Sequence, residues 1–133
     1  MDACIFCKII KNNIPSFKVS EDENFFAFLS IRPHTPGHTL IIPKVHVDDF
    51  FDMDEALLNA ILNFSKPIAK TLKKAFNPKS GKIGLIVAGL EIPHAHLHLI
   101  PMDKMDDLDF SRAQKVSQEE LAQNLEKIKA TIG

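Results

Sequence analysis

Three of the six histidines in this 133-residue chain fall at alternate positions of one short stretch, His94-Ala95-His96-Leu97-His98-Leu99-Ile100. Such alternation predicts a β-strand with two unlike faces. Ala95, Leu97 and Leu99 suit a core, while the other face would line up three imidazoles about 7 Å apart. Imidazole has the unperturbed pKa nearest neutrality, so this row offers a nucleophile, a proton donor or a metal ligand. The bland alternative is the polar outer face of an edge strand. A second chemistry-bearing pair, Cys4 and Cys7, has the spacing of a metal or redox pair, favoured over a structural disulfide in a reducing compartment.

The elements that must position these groups follow from the rest of the chain. With 45% hydrophobic and 25% charged residues, the composition is that of one ordinary globular domain, residues 1–133, long enough to bury a core. The formal net charge of -1 argues against a broad basic nucleic-acid footprint, so an anionic ligand has to be met by local groups. The start Met1-Asp2-Ala3-Cys4-Ile5-Phe6-Cys7 lacks a signal peptide's pattern, and no apolar run reaches transmembrane length. A cytoplasmic protein without a membrane partner is expected. Trp and Tyr are absent, leaving ten Phe as the whole aromatic supply.

In chain order, Cys4 to Ile10 predicts a short helical turn ended by Asn12-Asn13 and Pro15. Phe17 to Ser20 and Phe25 to Leu29 read as a hairpin around Glu21-Asp22-Glu23-Asn24. The loop Arg32-Pro33-His34-Thr35-Pro36-Gly37 then feeds a central strand over His38 to Pro43. Asp52, three residues before Glu55, predicts the N-cap of a long helix bearing Leu57, Leu58, Ile61, Leu62, Phe64, Ile68, Leu72 and Phe76, with a kink or break at Pro67. Lys82 to Val87 predicts a strand, and Ser117 with Glu120 caps a terminal helix carrying Leu121, Leu125 and Ile128. This order predicts an α+β domain: a mainly antiparallel sheet of about five strands with one long and one C-terminal helix.

Three ordered blocks carry a family likeness: Cys4-Ile5-Phe6-Cys7-Lys8-Ile9-Ile10 with Ile14-Pro15; Pro36-Gly37-His38-Thr39-Leu40-Ile41-Ile42-Pro43-Lys44-Val45-His46; and His94-Ala95-His96-Leu97-His98-Leu99-Ile100. From residue 4 to about 130 the chain resembles the Hint-like, bacterial-type branch of the histidine triad (HIT) superfamily. The resemblance implies a HIT-like fold, usually homodimeric, and a nucleotidyl hydrolase or transferase acting on the α-phosphate of a nucleotide conjugate, with a purine nucleotide as partner. The middle histidine, His96, would be the nucleophile that forms a covalent nucleotidyl-imidazole, its second N–H held by a backbone carbonyl. His98 would hydrogen-bond the scissile bridging oxygen, and His94 completes the triad.

By the same resemblance His38 shapes the phosphate side, and Phe6, Ile9, Phe28, Leu29, Ser30 and Ile31 form an apolar nucleoside pocket of loose base selectivity. Cys4, Cys7, His46 and His94 match a structural zinc site. Should it hold zinc, His94 is a ligand and not an acid or base. His34 has no counterpart and reads as a surface loop residue. Ser30 stands where the branch typically has Asp or Asn, which reduces the ribose grip to one hydroxyl. The loop before the triad is short, with Leu90 and Glu91 in place of Gln and Ser. Two other readings stand beside the hydrolase: a non-catalytic nucleotide-binding dimer, and a metallohydrolase with zinc on the triad, for which histidines at i, i+2 and i+4 of a straight strand are poorly placed.

Overall fold

The computed structural model describes residues 3–132; Met1, Asp2 and Gly133 of the expected 1–133 domain lie outside the described residues. The described residues form α1 (Ile5–Ile10), β1 (Lys18–Glu21), β2 (Phe25–Leu29), β3 (Thr39–Pro43), α2 (Glu55–Phe76), β4 (Lys82–Val87), β5 (Leu97–Met102) and α3 (Gln118–Ile132). The five strands make one antiparallel sheet in the order β1-β2-β3-β5-β4. This is the α+β architecture expected from the sequence.

Alternation along the strands sorts side chains to two faces. Phe25, Ala27 and Leu29 of β2, Ile41 of β3, and Leu97 and Leu99 of β5 pack with Ile61, Ile68 and Leu72 of α2 and Leu121 and Ile128 of α3. On the other face Phe26, Phe28, Leu40 and Ile42 pack with Cys4, Phe6 and Ile9. His98 lies opposite Leu40 in the β3–β5 ladder, so it belongs to this second face, away from the two long helices. Because β5 runs between β3 and β4, the histidine strand is internal, and an edge-strand reading of its polar face does not hold.

Three expectations differ in detail. The N-cap of α2 is Asp54, whose carboxylate accepts from the Leu57 N–H at 2.9 Å; Asp52 instead ends a short 3-10 turn, Phe50–Asp52. Helix α2 runs through Pro67 without a break. Pro67 sits on the exposed side of the helix, where water can replace the N–H partner that the carbonyl one turn back lacks. Leu62, one residue off the buried stripe, is largely exposed.

The loop from Ser30 to His38 is tied at both ends. The Ser30 N–H donates to the His38 carbonyl at 2.9 Å, and the Thr35 hydroxyl donates to the Pro101 carbonyl at 2.6 Å. Gly37 turns the chain with φ +91°, and a Cβ there would lie 2.6 Å from the Phe76 ring. Only glycine meets both demands, and the next residue it delivers is His38.

Candidate active site

The histidine stretch is not one straight strand. Strand β5 begins only at Leu97. Before it, the His94 N–H closes a tight turn onto the Ile92 carbonyl at 2.8 Å, and the Ala95 N–H donates to Val47. The three imidazoles therefore do not form one row: His94 turns toward the cysteines, while His96 and His98 stay side by side. All three are buried, at 0%, 6% and 9% exposure for His94, His96 and His98.

Each ring has a backbone or histidine partner that decides which nitrogen carries the proton. The Nδ1–H of His96 donates to the His94 carbonyl at 2.7 Å. Its Nε2 keeps a free lone pair, and His96 lines a cavity of about 340 Å³ with Asp48, Asp49, Phe51, Val87 and Leu90. Phe6 packs its ring edge-on to His96 with centroids 5.2 Å apart. A ring anchored in this way can offer its Nε2 to a ligand in the cavity.

His98 is fixed from behind. The His34 backbone N–H donates to His38 Nδ1 at 3.0 Å, so the neutral His38 ring carries its proton on Nε2. That Nε2–H donates to His98 Nδ1 at 2.9 Å, which leaves the His98 proton on Nε2. Burial pushes His38 down to about 2, helped by charge repulsion from His98 and His34, and His98 to about 3, helped by His96 and His34. Both rings are neutral at pH 7. The His96 and His98 ring centroids are 5.1 Å apart, close enough for one phosphoryl group to meet both.

His94 faces elsewhere. Its Nε2–H donates to the Pro43 carbonyl at 2.8 Å, and its Nδ1 lies 3.4 Å from Cys4 Sγ and 3.6 Å from Cys7 Sγ. His46 Nδ1 is 3.2 Å from Cys7 Sγ, and all four ligand atoms lie within 4.8 Å of one another. A tetrahedral zinc with Zn–S near ~2.3 Å and Zn–N near ~2.0 Å has ligand-to-ligand edges of about 3.5 Å. The cluster fits. Two thiols and two imidazoles form a closed donor set, and the bond to Pro43 orients His94 as a ligand. Burial and the adjacent Cys4 thiol push the Cys7 thiol up, and burial pushes His94 down; with Nε2–H on Pro43, Nδ1 is the nitrogen that faces the thiols. The Phe6 ring lies edge-on to His94 as well, 5.9 Å away, so the metal cluster and His96 share one neighbour.

The apolar positions are only partly brought together. Phe6, Ile9 and Phe28 share one buried cluster, with Phe6 and Phe28 in edge contact at 5.4 Å. Ile31 is 65% exposed and is not part of that cluster, and the buried Ser30 hydroxyl accepts from the Arg32 N–H at 3.2 Å. Leu29 is a correction: strand alternation turns its side chain into the opposite core with α2, so it lines no pocket on the histidine side. Glu91 is exposed and does not line the cavity beside His96, whereas Leu90 does.

His34 is the other correction. It is 5% exposed, packs edge-on to His38 at 4.6 Å and to Phe110 at 5.1 Å, and its Nδ1–H donates to the Asp107 carbonyl at 2.9 Å. Phe110 in turn packs on His98 at 5.2 Å. Nothing in the local pattern around either residue marks them. They reach the site because the segment after β5 folds back over the loop before β3.

The HIT domain family model matches residues 11–105. An HIT-like protein of Borreliella burgdorferi is 41% identical over 121 residues, 87% of each chain. An adenosine 5'-monophosphoramidase of Saccharomyces cerevisiae is 45% identical over 102 residues, covering 74% of this chain and 62% of the relative. The crystal structure of a zinc-bound histidine triad family protein from Mycobacterium smegmatis superposes with a TM-score of 0.80 at 28% identity, covering 98% of this chain and 96% of the other. Family model, relatives and fold agree with the buried triad, and the chain belongs to the HIT family.

Proposed function

We propose that the protein is a nucleotide-conjugate hydrolase or nucleotidyl transferase that works through a covalent nucleotidyl-imidazole on His96. The observation that carries this reading is the set of contacts on the two rings, from which the tautomers follow: His96 Nδ1 lies on His94 O and leaves Nε2 without a protein partner, while His98 Nδ1 lies on His38 Nε2 and leaves the His98 proton on Nε2. His96 Nε2 forms the bond to the α-phosphorus as the bond from phosphorus to the leaving group breaks. The anchored Nδ1–H spreads the positive charge that develops on the ring. The His98 Nε2–H hydrogen-bonds the departing atom, stabilising the negative charge that builds there. The displaced group takes up a proton from solvent; water then attacks phosphorus and returns one proton to solvent, the P–N bond breaks, and the nucleoside monophosphate leaves with His96 restored.

The phosphoramidase activity named for the Saccharomyces cerevisiae relative supports a phosphoramidate among the substrates; acyl-nucleotides and dinucleoside polyphosphates present the same phosphorus. The nucleoside side is assigned to Phe6, Ile9, Phe28, Ser30 and Ile31, with His38 behind the phosphate. A catalytic zinc on the triad is disfavoured, because the His94 ring points into the cysteine cluster and His98 Nδ1 is engaged by His38. Zinc on Cys4, Cys7, His46 and His94 is assigned a structural role: it holds α1, and with it Phe6, against the sheet. The cysteine pair in that role suits a reducing, cytoplasmic setting, and no helix among the described residues is long and apolar enough to cross a membrane.

A homodimer is part of the same reading. Strand β4 is a sheet edge with Leu85 and Val87 exposed at 46% and 37%, a surface of the kind that pairs with another copy.

The test is intact-protein mass spectrometry after brief mixing with an adenosine phosphoramidate, with wild type beside His96→Ala. An adenylyl adduct and AMP release in wild type alone are expected. No adduct and no AMP from either protein under single-turnover conditions would leave nucleotide binding without catalysis as the function.

A further inference from the structure

We propose that His34 is a positioning residue for the reaction proposed above, holding His98 in the tautomer that donates to the leaving group. The inference rests on that hydrolase reading for its kinetic consequence, but not for its structural content.

The proton on His98 Nε2 is specified two residues away. His98 Nδ1 accepts from His38 Nε2, and His38 can donate there only while its own Nδ1 is an acceptor. What keeps it an acceptor is the His34 backbone N–H at 3.0 Å. A backbone amide gives up no proton at neutral pH, so the arrangement is a lock on tautomers and not a shuttle. Should that N–H swing away, His38 gains access to the form protonated at Nδ1. His38 Nε2 then becomes an acceptor, His98 turns its proton toward it, and His98 Nε2 is left with a lone pair facing the leaving group. A lone pair there opposes departure of an anionic atom.

The amide of His34 sits in a loop rich in proline and glycine, and its own side chain aims it. Nδ1–H is anchored on the Asp107 carbonyl at 2.9 Å. The ring is wedged between His38 and Phe110, and Phe110 also covers His98. The anchor is itself rigid: the buried Asp107 carboxylate accepts from the backbone N–H groups of Asp103 and Lys104, at 2.8 and 3.2 Å. One side chain thus joins the segment after β5 to the loop before β3, at the point where the tautomers of two histidines are decided.

Three variants separate anchoring from packing. His34→Phe keeps the aromatic wedge but lacks the donor, His34→Asn restores a side-chain N–H toward Asp107, and His34→Ala removes both. The first readout is ring 15N chemical shifts in the zinc-loaded protein, which distinguish the two neutral tautomers. Wild type and His34→Asn are expected to show His98 protonated at Nε2, while Phe and Ala show a mixture. The second readout is kcat on two AMP conjugates. With an adenosine phosphoramidate, whose amine needs a donor, Phe and Ala should lose roughly 10-fold in kcat with KM within about twofold. With the p-nitrophenyl ester of AMP, whose phenolate leaves unaided, all variants should stay near wild type, and His34→Asn should recover most of the loss on the phosphoramidate.

A His98 ring that keeps its Nε2–H in the Phe and Ala variants overturns the proposal, as does an equal loss on both conjugates. If wild type turns over neither conjugate, the hydrolase reading fails, while the 15N spectra still decide whether His34 sets the tautomer.

Discussion

His38 Nε2–H donates to His98 Nδ1 at 2.9 Å across 60 residues of sequence. That bond makes the third triad histidine a donor at Nε2, next to a second histidine, His96, that is an acceptor at Nε2. The two active nitrogens are complementary because their opposite ring atoms are held by different kinds of partner: a carbonyl for His96, a histidine N–H for His98. Replacing His38 with Ala removes the donor that fixes His98, and kcat on a phosphoramidate is expected to fall by about 10–100-fold with a smaller change in KM. An unchanged kcat in steady-state assays would show that His98 holds its tautomer without His38.

The acid dependence of stability follows from the same pair. His38 and His98 are pushed down to about 2 and 3, chiefly by burial, whereas histidine in the unfolded chain titrates near ~6.5. Between those values the unfolded chain binds protons that the folded chain refuses. Stability is therefore full above about pH 6.5 and declines as pH falls, by about 1.4 kcal/mol per pH unit for each such histidine, until the folded values are reached. Ring 15N spectra at pH 5.5 should show both rings neutral, and urea denaturation at pH 7.0 and 5.5 should show the loss. A cationic His38 or His98 at pH 5.5 would contradict the assignment.

Removal of metal should lower stability while sparing the chemistry. With zinc 100- to 1,000-fold above its Kd, the bound ion contributes on the order of 3–4 kcal/mol through linkage. Cys4→Ser with Cys7→Ser should lower Tm by several degrees, abolish the zinc-dependent part of Tm and, below that Tm, still form the adduct on His96. Native mass spectrometry should count one zinc per chain in wild type and none in the variant. Complete loss of the adduct in a folded variant would place the metal in the reaction itself.

Gly37→Ala tests how tightly the loop delivers His38. A side chain at φ +91° costs roughly 1–2 kcal/mol, and the 2.6 Å approach to Phe76 adds about 1–3 kcal/mol of overpacking. Chemical denaturation should show a combined loss of about 2–5 kcal/mol. Pairing it with Phe76→Leu, which opens space beside Gly37, should recover part of the steric portion and none of the backbone strain.

Much of the fold was legible in local pattern. Strands β2 and β4 fall where Phe25 to Leu29 and Lys82 to Val87 were expected, α2 follows its apolar spacing with its cap two residues later than expected, and α3 follows its spacing and its Ser117 cap. The spacing of Cys4 and Cys7 marked a metal or redox pair, and only the family resemblance added His46 and His94 to it; the four ligand atoms do lie within 4.8 Å of one another. The failures have one cause. Leu29 was placed by the resemblance, His34 by its lack of a counterpart and Pro67 by its position within the helical pattern, but the facing of a strand residue, the solvent side of a helix and the burial of a loop are set by what packs against them.

The sequence by itself determined the chemistry that is possible: which imidazoles and thiols exist, which alternate with apolar residues, and which segments form strands or helices. Those properties are local, governed by side-chain type and backbone preference. Only the tertiary structure decided what each histidine does, because a ring's tautomer depends on which donor or acceptor lies within hydrogen-bond reach. For His96 that partner is two residues away, for His98 sixty, and for His34 seventy-three. In the proposed function, nucleophile, donor, metal ligand and positioning group are thus the same side chain under four different contacts.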